Sequence, residues 1–332
     1  MAIGWGIIGT GQFAERCIVP GIKGTAGAEL RGISSRDLGR ARAFAQTHDI
    51  PAAYDSVDAL LRDDSIQAVW ITTPHAAHVD LAIRAAEAGK HVLCEKPLAT
   101  TVEDARRMVE AAARHGVRLG TGFHLRHHPL VRSARERIAQ GEIGDLVMAR
   151  GEWTLAGSTF PAPWRQDPDL AGGGIVVGTA VHIFDVLRFL TSREILAVTG
   201  FTNEQPPERP VDNIIVAALQ FAGGAYGAVW ASRVSPHAEN AIEVQGTKGR
   251  LTIHDVVGEG DRRSDLRLNG RIIEVAEAEN VKPFVAQVEA FNRSIETGEA
   301  PSASGLDGLR IADVTAGLVQ ASRTGQTARL SD

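Results

Sequence analysis

The sequence has little of what disulfide-stabilised, nucleic-acid-binding or membrane proteins depend on. Two cysteines, Cys17 and Cys94, stand far apart in 332 residues, and no C-x-x-C pair occurs. The 35 Lys and Arg are scattered and are outnumbered by 40 Asp and Glu, for a formal charge of −5. Neither a long apolar run nor a basic N-terminal region is present. These absences predict a cytoplasmic protein that binds neither nucleic acid nor a membrane.

The first third alternates short apolar strands with helical patterns. The whole chain has 332 residues, 44% of them hydrophobic, which suits two domains rather than one. Strand followed by helix, repeated, predicts an α/β Rossmann domain over residues 1–122 with a doubly wound parallel sheet. The predicted strands are 3–8, 28–33, 67–72, 91–94 and 117–121, and the predicted helices are 12–23, 37–47, 56–62, 77–88 and 101–115.

The remainder, residues 123–332, has a different pattern. Strands such as 149–154, 214–221, 226–233 and 241–246 follow one another with turn residues between them. They predict an α+β domain with a large, mostly antiparallel open sheet for substrate binding and oligomerisation. Predicted helices at 284–297 and 306–323 can pack back on the first domain, and a further helix is predicted at 175–190. Ile215, Val216, Val229 and Trp230 alternate across this sheet, so an exposed apolar face predicts a homodimer or homotetramer.

A glycine-rich turn follows the first strand. Gly9 and Gly11 lack side chains that would keep the backbone from a pyrophosphate, and Ala14 is small enough for close packing of helix on sheet. The helix after the turn would direct its free N–H groups at the phosphates. A G-x-G-x-x-A pattern alone is a weak signal, but its place between a strand and a helix predicts a dinucleotide site.

The expected carboxylate is missing at the end of the second strand. An NAD site would place Asp or Glu there against the ribose 2′-hydroxyl, whereas this chain has Ser34, Ser35 and Arg36, with Arg40 one helical turn later. Hydroxyls and guanidinium groups suit a 2′-phosphate. NADP(H) is therefore predicted over NAD(H). The alternative is that both arginines are solvated residues of an exposed helix, which leaves the cofactor preference open.

Three motifs in order carry a family resemblance over essentially the whole chain. The glycine turn is followed by Glu95-Lys96-Pro97, and then by three glycines at 172–174 ahead of Val181-His182-Ile183-Phe184-Asp185. Together they resemble the glucose-fructose oxidoreductase and inositol dehydrogenase family. Within it, residues 91–98, 119–126, 164–165 and 301–305 resemble 1,5-anhydro-D-fructose reductases, and residues 35–41 resemble dihydrodiol and xylose dehydrogenases. The resemblance implies NADP(H) and reversible hydride transfer with a sugar, keto-sugar or polyol-like substrate.

The resemblance also assigns site residues. It implies that Trp164 and Arg165 reach the nicotinamide end of the cofactor; the alternative is a packed loop Trp beside a solvated Arg. Residues implied to border the substrate are His124, Arg126, Gly178 and Asp185. Residues predicted to bind the cofactor are Gly9, Thr10, Gly11, Gln12, Phe13, Ser34, Ser35, Arg36, Arg40, Thr72, Thr73, Pro74, His75, His78, Glu95, Lys96, Trp164, Arg165 and Phe284.

Lys96 and His182 are the candidate catalytic residues. The Lys96 ammonium can polarise a carbonyl, or the amine can accept a hydroxyl proton if burial lowers its pKa. The His182 imidazole can exchange a proton with a substrate hydroxyl near neutral pH. The alternative for His182 is a core histidine bonded to a backbone carbonyl.

Two positions depart from the family pattern. The family places Asp four residues before the histidine, where this chain has Gly178, and the anhydrofructose reductases have Asn where it has Gly122. Gly178 has two interpretations: it makes room for a bulkier, less polar substrate, or it reflects weakened catalysis. The second possibility keeps open an alternative function, a dinucleotide-binding sensor or regulatory protein with little activity. Asp185, three residues after His182, is better placed to orient the imidazole than to replace that Asp.

Histidines are grouped twice without completing a metal site. His75 with His78, and His124 with His127 and His128, have neither a thiolate nor a well-spaced carboxylate beside them. No metal is predicted.

Overall fold

The computed structural model describes residues 2–155, 162–203, 211–235, 240–256, 264–276 and 282–331. The described chain forms two compact units. The first comprises residues 1–124 and 282–309, and the second comprises residues 125–281 and 310–332. The range 123–332 predicted for the second domain is thus interrupted, because residues 282–309 group with the N-terminal unit.

The first unit is built on a parallel six-stranded sheet with the order β3-β2-β1-β4-β5-β6. Its strands are β1 (Ile3–Ile8), β2 (Ala28–Ser34), β3 (Ala52–Tyr54), β4 (Ala68–Ile71), β5 (His91–Cys94) and β6 (Leu119–Thr121). This order reverses direction between β1 and β4, which is where such sheets bind dinucleotides. The predicted doubly wound sheet is confirmed, and β3 is a short edge strand that the sequence analysis missed.

The helices of the first unit follow the predicted positions closely, with one exception. They are α1 (Val19–Lys23), α2 (Leu38–Thr47), α3 (Val57–Leu61), α4 (His78–Glu87), α5 (Val102–Arg114) and, from the distant C-terminal segment, α9 (Pro283–Thr297). The exception is the helix predicted over 12–23, because residues Ala14–Ile18 form a π-helical turn ahead of α1. Asp37, Ser56 and Thr101 accept backbone N–H groups and so begin α2, α3 and α5.

Two tryptophans fill the core of the first unit. Trp5 and Trp70 are 6.1 Å apart between ring centroids, and Phe291 of α9 lies 5.6 Å from Trp5. The Trp5 indole N–H donates to Asn292 Oδ1 at 3.1 Å. Gly120 makes room for Phe291, since a Cβ there would lie 2.9 Å from the phenyl ring. Gln287 Nε2 of α9 also donates to the Thr121 carbonyl oxygen of β6 at 3.3 Å, so buried polar bonds and large aromatic surfaces together hold α9 on the sheet.

The second unit contains a nine-stranded sheet in the order β14-β13-β12-β11-β7-β10-β9-β8-β15. Its neighbouring strands are antiparallel except for the parallel pair β7 and β10. The predicted open sheet is confirmed. The strands are β7 (Leu146–Thr154), β8 (Ile195–Thr202), β9 (Ile214–Phe221), β10 (Tyr226–Ser232), β11 (Ala241–Gly246), β12 (Arg250–His254), β13 (Asp265–Leu268), β14 (Arg271–Ile273) and β15 (Ala328–Arg329).

Helices pack against one face of this sheet. Gly151 of β7 lies against Ile183 of α8 (Val181–Thr191). Ile215 and Val229 are buried, whereas Val216 is 53% and Trp230 38% exposed, so the predicted alternation is confirmed. The other helices are α6 (Pro129–Ala139), which the sequence analysis missed, α7 (Pro168–Ala171), and α10 (Gly305–Thr324), which begins in the first unit and ends in the second.

Candidate functional site

The glycine-rich turn at the end of β1 has the geometry that a dinucleotide requires. Gly9 has φ +117°, and a Cβ there would lie 2.9 Å from the Thr72 carbonyl oxygen. Gly9 N–H donates to the Ser34 carbonyl at 3.0 Å, which ties the turn to the end of β2. A Cβ at Gly11 would meet no atom within 4 Å, so open space lies against this residue. Gly9 is thus required by the fold, whereas Gly11 leaves room for a ligand.

Two buried hydroxyl oxygens at these strand ends have no hydrogen-bond partner in the described chain. They are Ser34 Oγ, at the last residue of β2, and Thr73 Oγ1, two residues after β4. Buried polar atoms are almost always paired, so two unpaired ones beside the turn indicate a place for ligand atoms. Exposed Arg40 reaches back over the turn, and its guanidinium donates to Thr10 Oγ1 at 3.3 Å. The cofactor-binding residues predicted on β1 and β2 therefore lie together.

The loops after β4 and β5 lie side by side at the same sheet edge. Lys96 is half-buried, and its peptide bond to Pro97 is cis. His78 is fully buried, with Nδ1 3.0 Å from the Pro97 carbonyl oxygen and Nε2 3.1 Å from that of Thr73. The predicted cofactor residue His78 thus offers no exposed surface to a ligand, and it bridges two loops instead. His75, 4% exposed, is 5.6 Å away between ring centroids.

Glu95 is turned into the protein. Its Oε1 accepts the Trp70 indole N–H at 3.1 Å, and its side chain is buried. A Cβ at Gly122 would lie 2.8 Å from the same oxygen. The departure at Gly122 therefore has a local reason, because a larger residue would displace the Glu95 carboxylate.

Three rings form a cluster beside the glycine-rich turn. Phe284, at the start of α9, packs edge-on against Phe13 at 5.6 Å and stacks on His124 at 4.8 Å and 23°. Gly21 allows this approach, since a Cβ there would be 3.0 Å from Phe284 Cβ. The residues Phe13, His124 and Phe284, predicted from distant parts of the sequence, are thus brought together in the first unit.

In the second unit, the three consecutive glycines have three different roles. Gly172 ends α7 with φ +72°, and Gly173 has φ +147°. A Cβ at Gly174 would overlap the Asp212 carbonyl oxygen. The Asp212 carboxylate accepts the N–H groups of Gly174 and Val176, each at 2.7 Å. Burial raises the pKa of Asp212 despite these backbone hydrogen bonds, which lower it.

Asp212 thereby holds the start of the segment that carries Gly178 and His182. Residues Val176–Ala180 form a π-helical turn that continues into α8. Between residues 174 and 188, Gly178 is the one position that is more than slightly exposed. The missing family Asp therefore falls at the accessible point of an otherwise buried helix. π-Turns of this kind often occur at functional sites.

His182 is 3% exposed and lies beside Trp153 of β7, with 5.4 Å between ring centroids. Trp153 Nε1 is buried without a hydrogen-bond acceptor in the described chain. The sequence analysis missed Trp153 and Asp212. A single Trp in a strand and a single Asp between strands carry no local signal, because their roles depend on contacts with residues far along the chain.

Arg126 and Asp185, both predicted to border the substrate, bind each other. Arg126 Nε lies 2.9 Å from Asp185 Oδ2, and its Nη2 lies 2.5 Å from Oδ1. Both side chains are buried, and the Arg126 guanidinium lies 5.2 Å from the Phe189 ring centroid. The two charges satisfy each other inside the second unit, and contact of either side chain with the substrate stays a prediction.

Trp164 and Arg165 lie together in a 3₁₀ turn, Pro163–Gln166, with the guanidinium carbon 4.7 Å from the indole centroid. Burial, with a smaller contribution from the Arg165 charge, lowers the pKa of Arg233. Two positive charges are thus close to each other in this part of the second unit.

His127 and His128, which follow His124 in the predicted cluster, are packed. Burial lowers the pKa of His127 to about 3 and that of His128 to about 4. Within the described residues, no group of three or more His, Cys, Asp or Glu could hold a metal ion.

One helical stretch, Pro168–Thr191, is long and apolar enough to cross a membrane, and 78% of its most apolar window is buried within the protein. Such burial is what the core helix of a domain requires.

Comparison with known proteins identifies the family. Residues 3–123 match the model described as "Oxidoreductase family, NAD-binding Rossmann fold", and residues 131–252 match the "GFO/IDH/MocA C-terminal domain". The chain is 32% identical to the 1,5-anhydro-D-fructose reductase of Ensifer adhaerens, over 98% of each protein. It is 31% identical to a D-xylose 1-dehydrogenase (NADP(+)) of Haloferax volcanii, over 98% of this chain and 99% of that one.

A solved structure agrees. The aldose-aldose oxidoreductase from Caulobacter crescentus, crystallised with glycerol, superposes with a TM-score of 0.90 at 27% identity, over 99% of this chain and 100% of that one. The resemblance carried by the three sequence motifs is confirmed. The chain belongs to the GFO/IDH/MocA family of oxidoreductases.

Proposed function

We propose that this protein is an NADP(H)-dependent oxidoreductase acting on a CH–OH or C=O group of a sugar, keto-sugar or polyol-like substrate. The observation that carries the proposal is the set of groups that lie at one sheet edge of the first unit. There, the Ser34 hydroxyl, the space at Gly11, the Thr73 hydroxyl and Lys96 lie at the ends of the neighbouring strands β2, β1, β4 and β5, at the edge where such sheets bind a dinucleotide. A bound nicotinamide supplies or accepts the hydride.

The adenosine end of the site favours NADP(H). Arg36 and Arg40 are both exposed, and neither forms an ion pair within the described residues. Guanidinium groups bind phosphate through two parallel N–H donors, which suits them to a 2′-phosphate. The word NADP(+) in the name of the Haloferax relative supports the same preference.

Two side chains are proposed to take part in proton transfer. Lys96 would hold the reacting oxygen through its ammonium, and His182 would exchange a proton with that oxygen. His182 is 3% exposed and lies against the Trp153 ring, so its surroundings are largely dry. A proton donor acts more strongly on a developing charge where water is excluded.

Gly178 is proposed to define the substrate. Because it is the accessible position of its helix, replacing the family Asp with hydrogen removes a charge and a hydrogen-bonding group and leaves space. We therefore expect a substrate with an apolar or bulky group, such as a deoxy or anhydro sugar derivative. The alternative function, a cofactor sensor with little catalysis, remains the second candidate, and Gly178 is also its support.

The test is NADPH oxidation against keto-sugars, deoxy-ketosugars and osones. Lys96→Ala and His182→Ala should each lower turnover by about a hundredfold or more, because acid and base groups contribute roughly 10² to 10⁴. NADPH affinity should stay nearly unchanged. Lys23→Ala and His115→Ala, at exposed positions, serve as matched controls. Full turnover in the Lys96→Ala, His182→Ala double variant would overturn the proposed roles.

Gly178→Asp separates the two functions. If the wild-type protein turns over an apolar substrate, the new carboxylate should reduce that activity and raise activity on polar sugars. If the wild-type protein binds NADPH tightly without any turnover, the sensor function is supported, and activity that appears only in Gly178→Asp would show a decayed enzyme.

We further propose that the protein is cytoplasmic and assembles as a homodimer or homotetramer through the open sheet of the second unit. The support for assembly is the row of exposed apolar side chains on that sheet, which a monomer would leave in contact with water.

A further inference from the structure

His78 lies where α4 begins, buried between the loops that follow β4 and β5. Its Nδ1 is 3.0 Å from the carbonyl oxygen of Pro97, and its Nε2 is 3.1 Å from the carbonyl oxygen of Thr73. One ring therefore joins the main chains of both loops, which are 24 residues apart in sequence.

The bridge leaves His78 little freedom for another role. Both partners are carbonyl oxygens, which only accept hydrogen bonds, so the neutral ring, which carries one N–H, donates to one of them and contacts the other. Burial lowers the pKa of His78, and the nearby Lys96 charge lowers it further, while the carbonyl oxygens raise it. A fully buried ring with both nitrogens facing the main chain cannot contact a substrate.

Each loop leads directly to a group of the proposed site. Pro97 is the residue after Lys96, whose ammonium would hold the reacting oxygen. Thr73 follows Thr72, whose carbonyl oxygen borders Gly9 in the glycine-rich turn. A shift of the ring would therefore change the place of Lys96 relative to the strand end that faces the cofactor.

We propose that His78 is a positioning residue that fixes the Lys96 loop against the cofactor-facing end of β4. The proposal rests on the proposed function, because it gives the bridge a catalytic consequence. A reacting group displaced by about 1 Å can lose roughly a hundredfold in rate. A histidine that only fills the core would affect stability without selectively affecting turnover.

Two substitutions keep opposite halves of the bridge. The amide nitrogen of His78→Asn can occupy the place of Nδ1 and keep the Pro97 contact, whereas that of His78→Gln can reach the place of Nε2 and keep the Thr73 contact. We expect His78→Gln to lower kcat by about tenfold or more, and His78→Asn to lower it by no more than about threefold. KM for NADPH should change by less than about threefold in both.

His91→Asn is the matched control. His91 lies at the opposite end of β5, is half-buried, and accepts the Arg118 N–H through Nδ1 at 3.0 Å. Removing it should lower the melting temperature much as the His78 variants do, but kcat should stay at the wild-type value. Equal losses of kcat in His78→Asn, His78→Gln and His91→Asn, in proportion to lost stability, would overturn the positioning role.

A second readout does not depend on turnover. The rate at which acetic anhydride acetylates Lys96, followed by peptide mass spectrometry, reports the exposure and position of its amine. This rate should change by about threefold or more in His78→Gln and stay unchanged in His91→Asn. An unchanged Lys96 rate in both His78 variants would overturn the proposal. A changed rate in a protein that turns over no substrate would instead refute the proposed function and leave the bridge intact.

Discussion

The two units each contain a glycine-rich turn followed by a π-helical turn, and the two turns are completed in opposite ways. At Gly174, the Asp212 carboxylate accepts two N–H groups at 2.7 Å, so the helix start is already occupied by a negative group. At Gly11, no side chain caps the turn Ala14–Ile18 within the described residues, and open space adjoins the glycine. The same local design can thus serve the fold in one unit and a ligand in the other.

The sheets of the two units differ in a related way. Strands β1 and β4 are buried along their whole length, as expected where helices cover both faces of a parallel sheet. On β9 the exposure alternates, and Phe201, Val216 and Trp230 form a row across β8, β9 and β10. The first unit has unpaired buried hydroxyl groups at its sheet edge, whereas the second has exposed apolar side chains on one face of its sheet.

Matched glycine substitutions would test the first contrast. Gly174→Ala should destabilise the protein by about 3 kcal/mol, because its Cβ would overlap the Asp212 carbonyl oxygen. Gly11→Ala should leave the free energy of unfolding within about 0.5 kcal/mol. It should nevertheless weaken NADPH binding by about tenfold or more, since the methyl group occupies the ligand's space. Denaturant unfolding and fluorescence titration measure the two effects, and an equal loss of stability in both variants would remove the contrast.

The apolar row predicts the assembly. Val216→Glu puts a charge at its centre, between Phe201 and Trp230, and should weaken self-association by about a hundredfold. Ile272→Glu, at a 64% exposed position on the far strand β14, is the control and should leave assembly intact. Sedimentation velocity at micromolar concentration reports both. A monomeric wild-type protein would contradict the prediction.

The sequence predicted best what is encoded within a few residues. Strands 3–8 and 91–94, the glycine-rich turn and the alternation of Val216 and Trp230 each follow from local chemistry or period. What it missed depends on distant partners. β3 and β15 are edge strands of two or three residues, too short to show a period. Asp185 is three residues after His182 in sequence, yet its carboxylate binds Arg126, which is 59 residues away.

The pH dependence of stability tests the role of Asp212, whose carboxylate accepts the N–H of Gly174. Burial raises its pKa above the ordinary 3.8, so the folded protein holds this proton to higher pH than the unfolded chain does. Its contribution to stability is therefore full below about pH 4 and is lost as pH rises through the raised pKa. Asp212→Asn cannot ionise and keeps one acceptor, so it should cost about 1 to 2 kcal/mol for the lost hydrogen bond. Unfolding free energies across pH 4 to 7 should show a weaker decline in the variant than in the wild type. A parallel decline would contradict the assignment.

Arg40 tests what the open turn selects. Its guanidinium is exposed, donates to Thr10 Oγ1, and is available to a 2′-phosphate beside the unpaired Ser34 hydroxyl. One charge-assisted hydrogen bond contributes about 1.5 to 3 kcal/mol, so Arg40→Ala should weaken NADPH binding by about tenfold or more while leaving NADH binding nearly unchanged. Arg42→Ala, two residues further along the same helix and also exposed, is the matched control and should change neither affinity. Titration of both cofactors measures the ratio. Equal affinity of the wild-type protein for NADPH and NADH would show that Arg36 and Arg40 are solvated surface residues that do not select the cofactor.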